Sequence, residues 1–581
     1  MSSSLFPSLP PSTPSFSSLQ KRRATASQFD LNAANRVLHI PELVDVIASF
    51  LPPSAIAACA RLSREMNTLF TPYIWSDLKI TTQLQEMLFL RCGAGDATAR
   101  HRQRIRSMSI GSERVLKLIS QCFDAQPTNI RSLALRWQGP DYKYDNEDPR
   151  AISCVSDYCH EWDLTLIHLL GNCPFLETLD IDLTIINLPS IDTCLQGLKY
   201  LKKLRIRAFK GAEAHPATLA RLIDGIPASV EDLTIDMRII YDYRGLDAEP
   251  PFVPQGPCNT LKKLTIHASL LRLDLTVAQR IFYRCQNLKS LSVIGTFSSR
   301  REASRLSEML LTHCPVVDDL NIYIQDYVVQ DEDIAEIISS RPWGVGMPAL
   351  TLAVPTAPGT LTPSTSPPHG QALPRQSMAW KSIEIKVPKF GPLSSAAIVS
   401  HAPTLERVIL PITGLEVHDL HELLGSAPNL KTLVSLTKKG PKFNNTFLKP
   451  GTVGTVVDRP WVCSDTLEEL QLSVRPGKCN RTGREAMMDR LGAFEELKVL
   501  HLHNGVARNG GFTDFSLAKG GLERLGRLKK LEVFELKHLR HNIGAEERAW
   551  MGQQWPKLKR VCLQCDWGHH DVAPAQRRRF F

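Results

Sequence analysis

One arrangement of apolar positions recurs along most of this chain: an apolar residue, two others, a second apolar residue, one other, and a third. It stands at Ile105/Met108/Ile110, Ile130/Leu133/Leu135, Leu176/Leu179/Ile181, Leu201/Leu204/Ile206 and Val230/Leu233/Ile235. It continues at Leu261/Leu264/Ile266, Leu288/Leu291/Val293, Val317/Leu320/Ile322, Trp380/Ile383/Ile385 and Leu405/Val408/Leu410. Less regularly it runs on through Leu430/Leu433, Leu467/Leu470/Leu472, Leu497/Leu500/Leu502, Leu531/Phe534/Leu536 and Leu558/Val561/Leu563. Ten of the fourteen steps between these fifteen units span 25 to 31 residues. Apolar residues are common, so the spacing carries the reading and no single match does.

The last two apolar positions of each unit lie two apart, the period of one face of a strand. Ahead of many units runs a helical pattern that stops at a proline: 163–172 before Pro174, 217–225 before Pro227, 305–313 before Pro315, 393–401 before Pro403, and 420–426 before Pro428. Proline has no N–H to continue a helix, so it marks the turn into the strand. A helix–turn–strand unit cannot bury both its faces alone; stacked units share them and build one continuous core. The predicted fold is therefore α/β, a right-handed solenoid over residues 81–565 with a parallel concave sheet and convex helices. Cys173 and Cys314, each just before a proline and a strand, read as core fillers.

The stack is interrupted by polar residues 138–160, a Pro/Ser/Thr/Gly-rich stretch at 341–378 and a Gly-, Pro- and Lys-containing stretch at 437–462. Segment 341–378 is expected to be disordered, as are the Ser- and Pro-rich residues 1–35 and the tail 566–581.

Residues 36–80 follow a different, all-α pattern. Ile40-Pro41-Glu42 opens a helix, with proline suited to its first turn. Leu43, Val46, Ile47, Phe50 and Leu51 form one apolar stripe, and Pro52-Pro53 ends it. Ile56, Ala57, Ala60 and Leu62 begin a second apolar stretch, Met66, Leu69 and Phe70 follow, and Trp75 closes the module.

The order Ile-Pro-Glu-Leu, spaced apolar pair, Phe-Leu-Pro, small-residue helix and Tyr-Ile-Trp resembles an F-box, particularly the variety that heads repeat proteins in fungi. It departs from the common pattern at Met66 and at Leu62-Ser63-Arg64. The repeat region resembles leucine-rich repeats, and Cys173 and Cys314 their cysteine-containing class. The resemblance implies that the helices dock a Skp-type adaptor, and through it a cullin, while the repeats hold a protein substrate. Carried over by residue, the docking set is Ile40, Pro41, Leu43, Ile47, Phe50, Leu51, Ile56 and Trp75. An ordinary helical cap on the first strand is the plainer alternative.

Between the apolar positions of each strand, side chains point to the opposite face. The candidate substrate-binding residues there are Asp180, Asp182, Lys203, Arg205, Arg207, Asp232, Asp236, Lys263, His267, Asp319 and Tyr323. Successive strands alternate acidic and basic, which suits either cross-strand steadying of the sheet or a charged recognition face.

Composition removes several function classes. A net charge of +10 from 69 basic and 59 acidic residues is small for 581 residues, and compact basic clusters occur only at 21–23 and 577–579. That argues against nucleic-acid binding. No apolar run reaches membrane-helix length. Fourteen thinly spread cysteines suit a reducing compartment, cytoplasmic or nuclear. No phosphate loop, nucleophile elbow or zinc-protease helix is found. Cys562, Cys565, His569 and His570 carry zinc-ligand chemistry, but Cys562 falls inside a repeat strand. The chain is read as no enzyme, with no cofactor and no metal. The leading function is substrate recognition in an SCF-type ubiquitin ligase. A non-degradative scaffold and an enzyme-inhibiting repeat protein stay open.

Overall fold

A computed structural model describes residues 40–91, 94–123, 127–136, 164–183, 191–208, 213–214, 216–239, 260–271, 277–325, 327–340, 379–411, 415–436, 460–474, 481–504, 515–517, 521–537 and 541–564. The segments expected to be tails, the stretches 138–160 and 341–378 and most of 437–462 lie outside the described residues, as do Cys565, His569 and His570. The chain forms two compact units, up to Leu133 and from Ala134 onward.

The first unit opens with three helices: α1 (Pro41–Phe50), α2 (Pro53–Ala60) and α3 (Arg64–Ser76). Prolines hold the first turns of α1 and α2, where no N–H is needed. Ser63 caps α3, its hydroxyl accepting from the Met66 N–H at 3.1 Å. Their core is Val44, Ala48, Ile56, Ala60 and Phe70, with Leu51, Cys59, Met66, Leu69 and Tyr73 packed around it. The Tyr73 hydroxyl, on α3, donates to the Asp45 carboxylate on α1. Burial, reinforced by Asp45, pushes that phenol up to about 12. Strands Asp77–Ile80 and Ser107–Ile110 then pair in parallel, Leu78 opposite Met108 and Ile80 opposite Ile110.

The second unit is the repeat array. Among the described residues thirteen strands, from Thr178–Leu183 to Arg560–Gln564, form one parallel ladder in chain order. Helices cross between many of them, among them Arg300–His313, Asp331–Ser339, Pro392–Ser400 and Val417–Ser426. The repeating apolar positions stand in register: Leu179, Leu204, Leu233, Leu264, Leu291 and Leu320 are consecutive partners, then Ile383, Val408, Leu433, Leu470, Leu500, Phe534 and Val561. The second column runs Ile181, Ile206, Ile235, Ile266, Val293, Ile322 and Ile385. All of these but Val561 are buried, and burial alternates along strands such as Asp232–Asp236, Asp319–Ile324 and Ser382–Lys386. This is the α/β leucine-rich-repeat-like architecture that the spacing predicts.

The irregular Leu430/Leu433 unit has a local explanation. Ser435 takes the third apolar position, opposite Leu410 and Leu472. It is buried, and its hydroxyl accepts from the Leu415 N–H at 2.9 Å, which offsets the cost of burying it. The sheet also runs without a gap past residues 341–378: strand Asp319–Ile324 pairs directly with Ser382–Lys386. Trp380 joins the two sides of that interval. It is fully buried, and its indole N–H donates to the Ile338 carbonyl at 2.8 Å.

Just ahead of the strands runs a rail of ion pairs between neighbouring repeats: Glu231–Lys262 at 2.8 Å, Asp318–Lys381 at 2.9 Å, Glu406–Lys431 at 2.7 Å, Glu468–Lys498 at 2.8 Å and Glu532–Lys559 at 2.7 Å. Each occupies the same place in its repeat, and from Asp318 to Lys559 the sign of that residue alternates from repeat to repeat, whereas Lys262 is followed by Lys289. Each pair is largely exposed and individually weak.

Candidate functional site

In the first unit, α1 carries apolar residues on two sides. Val44 and Ala48 face inward and make the core. Ile40, Leu43 and Val46 are 43%, 39% and 52% exposed, and Phe50 is 83% exposed. Ile40, Leu43, Ile47 and Phe50 follow one another at helical spacing, with Ile47 half-buried at the centre of the stripe. Leu62 and Ile74 are exposed as well. A helix apolar on both faces is normally covered on both; among the described residues nothing covers the outer stripe. Several large side chains in one stripe differ from the scattered exposed leucines of ordinary surfaces.

The predicted docking residues separate into two groups. Ile40, Pro41, Leu43 and Phe50 are exposed, and Ile47 and Leu51 are half-buried. Leu51 packs on the module's core and Ile56 lies inside it. Trp75 stacks on His101 within the same unit, ring centroids 5.0 Å apart, so its ring already has a partner. Burial, then the charges of Arg104 and Arg100, hold the His101 imidazole below its usual range. Sequence reasoning passed over a second apolar face on the helix Gln83–Arg91, where Leu84, Met87, Leu88 and Leu90 are exposed and Phe89 is buried. The spacing of Leu84, Met87 and Leu88 was the available signal.

In the second unit, the predicted surface residues gather on the open face of the sheet. Arg207 donates to Asp180 at 2.9 Å and also lies 3.0 Å from Asp182. Burial, partly opposed by Arg207, raises the Asp182 carboxyl above its ordinary range. Arg136 and Arg205 lie 3.7 and 3.9 Å from the Asp180 Oδ2. Lys203 and Lys263 are exposed, while Asp232 and Asp236 are half-buried. Asp319 accepts from the Ser290 hydroxyl at 2.7 Å, and the Tyr323 ring lies under the Lys386 ammonium, 3.8 Å from its centroid. His267 leaves the set: it is buried, with Nδ1 2.9 Å from the Ser269 hydroxyl. The cause is Gly295, whose positive φ and missing side chain let the imidazole lie where a Cβ would overlap it.

Nothing in the sequence pattern singled out Glu535. This carboxylate is buried, 2.8 Å from both Lys537 and Arg560 and 3.4 Å from His501. Burial alone would raise its carboxyl, but the Lys537 hydrogen bond and the nearby cationic groups draw it below the ordinary range. Cys562 stands on the last strand, half-buried. Among the described residues no group of three or more His, Cys, Asp or Glu side chains could hold a metal ion. No helix among them is long and apolar enough to cross a membrane.

No family model matches the chain, and no curated protein matches it. Among solved structures it is similar to a chain in the crystal structure of the Rad7 and Elc1 complex of yeast. The identity is 15% and the TM-score 0.32, over 73% of this chain and 94% of the other.

Proposed function

We propose that this protein is a substrate receptor of an SCF-type ubiquitin ligase. In this reading residues 36–80 are an F-box that docks a Skp-type adaptor, and through it a cullin, while the repeats bind a protein substrate. The receptor acts by proximity, holding the substrate near a transfer centre that its partners supply. The observation that carries this reading is the outer stripe of α1. A helix that merely capped the repeats would need only its inner face, Val44 and Ala48. Ile40, Leu43, Val46 and Phe50 are instead left to solvent.

The test is co-purification of the full chain with a Skp-type adaptor and cullin. Burying one Phe or Leu side chain contributes about 1.5–3 kcal/mol, so Phe50→Asp or Leu43→Asp should weaken adaptor binding by roughly tenfold to a hundredfold or more. Both side chains are exposed in the free protein, so its fold should survive. Adaptor binding that persists in the double variant would refute the docking role and leave the module a cap. Adaptor binding without ubiquitin transfer to any bound protein would favour the scaffold reading.

A further inference from the structure

The repeat array stops at an open edge. The strand Arg560–Gln564 is last in the ladder, and among the described residues no strand pairs with its far side. Its core positions are less covered than those of the strand before it. Val561 is 40% exposed where its partner Phe534 is buried. Leu558 and Leu563 are half-buried where Leu531 and Leu536 are buried. In a parallel ladder successive residues turn their N–H and C=O groups to opposite sides. Arg560 donates back to the Glu532 carbonyl at 3.1 Å, so Val561 and Leu563 present theirs to the edge. An edge of this kind is a template for an added strand.

The array itself specifies that strand. Rail carbonyls repeat one pattern. The Lys498 carbonyl accepts from the Glu532 and Val533 N–H groups, and the Glu532 carbonyl from those of Lys559 and Arg560. The Lys559 carbonyl is next in the series. The side chains repeat as well. Lys431 stands between Glu406 and Glu468, and Lys498 between Glu468 and Glu532. Both ammonium groups are held above their ordinary range, first by the hydrogen bond to the preceding acid and further by the following one. Lys559 has Glu532 behind it at 2.7 Å, and an acid ahead of it would continue the order. Lys557, Lys559 and Arg560 are all exposed, so this edge is basic as well as apolar. A segment that continues the array carries an acid, any residue, an apolar residue, any residue, and a second apolar residue.

Residues that follow in the sequence do not supply it. A crossover to a parallel strand takes about a dozen residues, which from Gln564 leads to Arg577-Arg578-Arg579, of the wrong sign. A second copy brings the same cations to the junction, and charged side chains on an edge keep like edges apart. We propose that the edge of the last repeat receives an extended acidic and apolar segment of another protein as an added parallel strand. Its acid lies on Lys559 and its two apolar residues beside Val561 and Leu563. This contact is separate from the stripe on α1 and does not depend on it.

The experiment titrates the full chain into labelled peptides and reads fluorescence anisotropy. The parent peptide has the core Glu-Thr-Leu-Thr-Ile. Other forms replace Glu by Lys, replace both apolar residues by Ser, or reverse the order. Two more are N-methylated, one at the first Thr, whose N–H would meet the Lys559 carbonyl, and one at the Leu, whose N–H would point away. The parent should bind roughly fivefold or more above the Lys form, as expected when a cross-strand attraction becomes a repulsion. Methylation at the Thr should abolish binding, and methylation at the Leu should not. Lys559→Glu should invert the charge preference, and Lys289→Glu, at an interior rail position, should leave it unchanged. Val561→Asp should abolish binding. Melting curves report the folding of each variant separately. Equal binding of the Ser form would show charge attraction alone, and equal binding of the reversed order would deny the parallel register. A preference that survives Lys559→Glu would put the peptide elsewhere. Each of these overturns the proposal, as does failure of every form to bind. Sedimentation velocity then names the occupant: a doubled mass assigns the edge to a second copy, and a single mass to this chain's own residues.

Discussion

Trp380 offers a direct test of whether the repeats form one continuous stack across residues 341–378. Its ring is fully buried, its N–H donates to the Ile338 carbonyl at 2.8 Å, and the His401 ring meets it edge-on with centroids 6.5 Å apart. Removing the ring leaves a cavity between the helix Asp331–Ser339 and the strand Ser382–Lys386. Trp380→Ala should therefore cost about 3–5 kcal/mol, the range for deleting a buried aromatic. Trp380→Phe is the informative partner. The Ile338 carbonyl keeps a neighbour, because His401 Nε2 stands 3.1 Å from it. No acceptor is orphaned, so the loss should be about 1 kcal/mol for the hydrogen bond and about 1 more for the smaller ring. The assay is hydrogen exchange of the amides in Asp319–Ile324 and Ser382–Lys386, alongside urea unfolding followed by circular dichroism. In a nearest-neighbour array the damage should concentrate at those strands. If Trp380→Ala costs less than about 1 kcal/mol, or leaves exchange there unchanged, the two sides do not pack as one stack and the reasoning fails.

Two further outcomes follow from features already described. In the preceding repeat only residues 314–318 separate the helix Arg300–His313 from its strand; replacing residues 342–377 with a three-residue Gly-Ser-Gly link should therefore preserve the circular dichroism spectrum and the melting midpoint within a few degrees, and a collapsed melting transition would show that the segment is structural. His421 is buried, with Nδ1 3.2 Å from the Trp461 indole nitrogen and 3.0 Å from Arg490. Burial, then the Arg490 charge, lowers its imidazole from 6.5 to about 4. The unfolded chain thus takes up that proton first, and stability should fall as pH drops from 6.5 towards 4 and then level off. The contribution is up to about 3 kcal/mol. His421→Gln should flatten the urea midpoint against pH over that window, and a slope identical to wild type would count against the assignment.

The repeat fold was legible because two signals agree: a two-residue period within each strand and a near-constant step between strands. The register of Leu179, Leu204 and Leu233 follows from them. The unit at Leu430/Leu433 read poorly because Ser435 replaces an apolar rung, and its hydroxyl's partner, the Leu415 N–H, comes from a loop that no periodicity reveals. The stripe on α1 was visible in the sequence, but its direction was not. Large residues such as Leu43 and Phe50 would ordinarily be assigned to the inside. The inner face is built from Val44 and Ala48, small enough for α3 to approach closely. Likewise the alternation rule put His267 on the exposed face, but Gly295 in the adjacent strand leaves room for its ring to be buried there. Such facts depend on which strand lies alongside, and a pattern along one strand does not encode them. The pairing of Arg136 with Asp180 is of the same kind.

The alternating charges ahead of the strands give the run from Asp318 to Lys559 a parity. Deleting one repeat from the run between Asp318 and Lys559 would set acid against acid or base against base at the new junction. Excising two consecutive repeats would restore opposite neighbours and leave the rail unbroken. The first hydrophobic column is indifferent to the sign of such edits, since an apolar side chain meets an apolar one either way. Phase along this run is thus written in surface charge, and versions shortened or extended within it should be built in even steps.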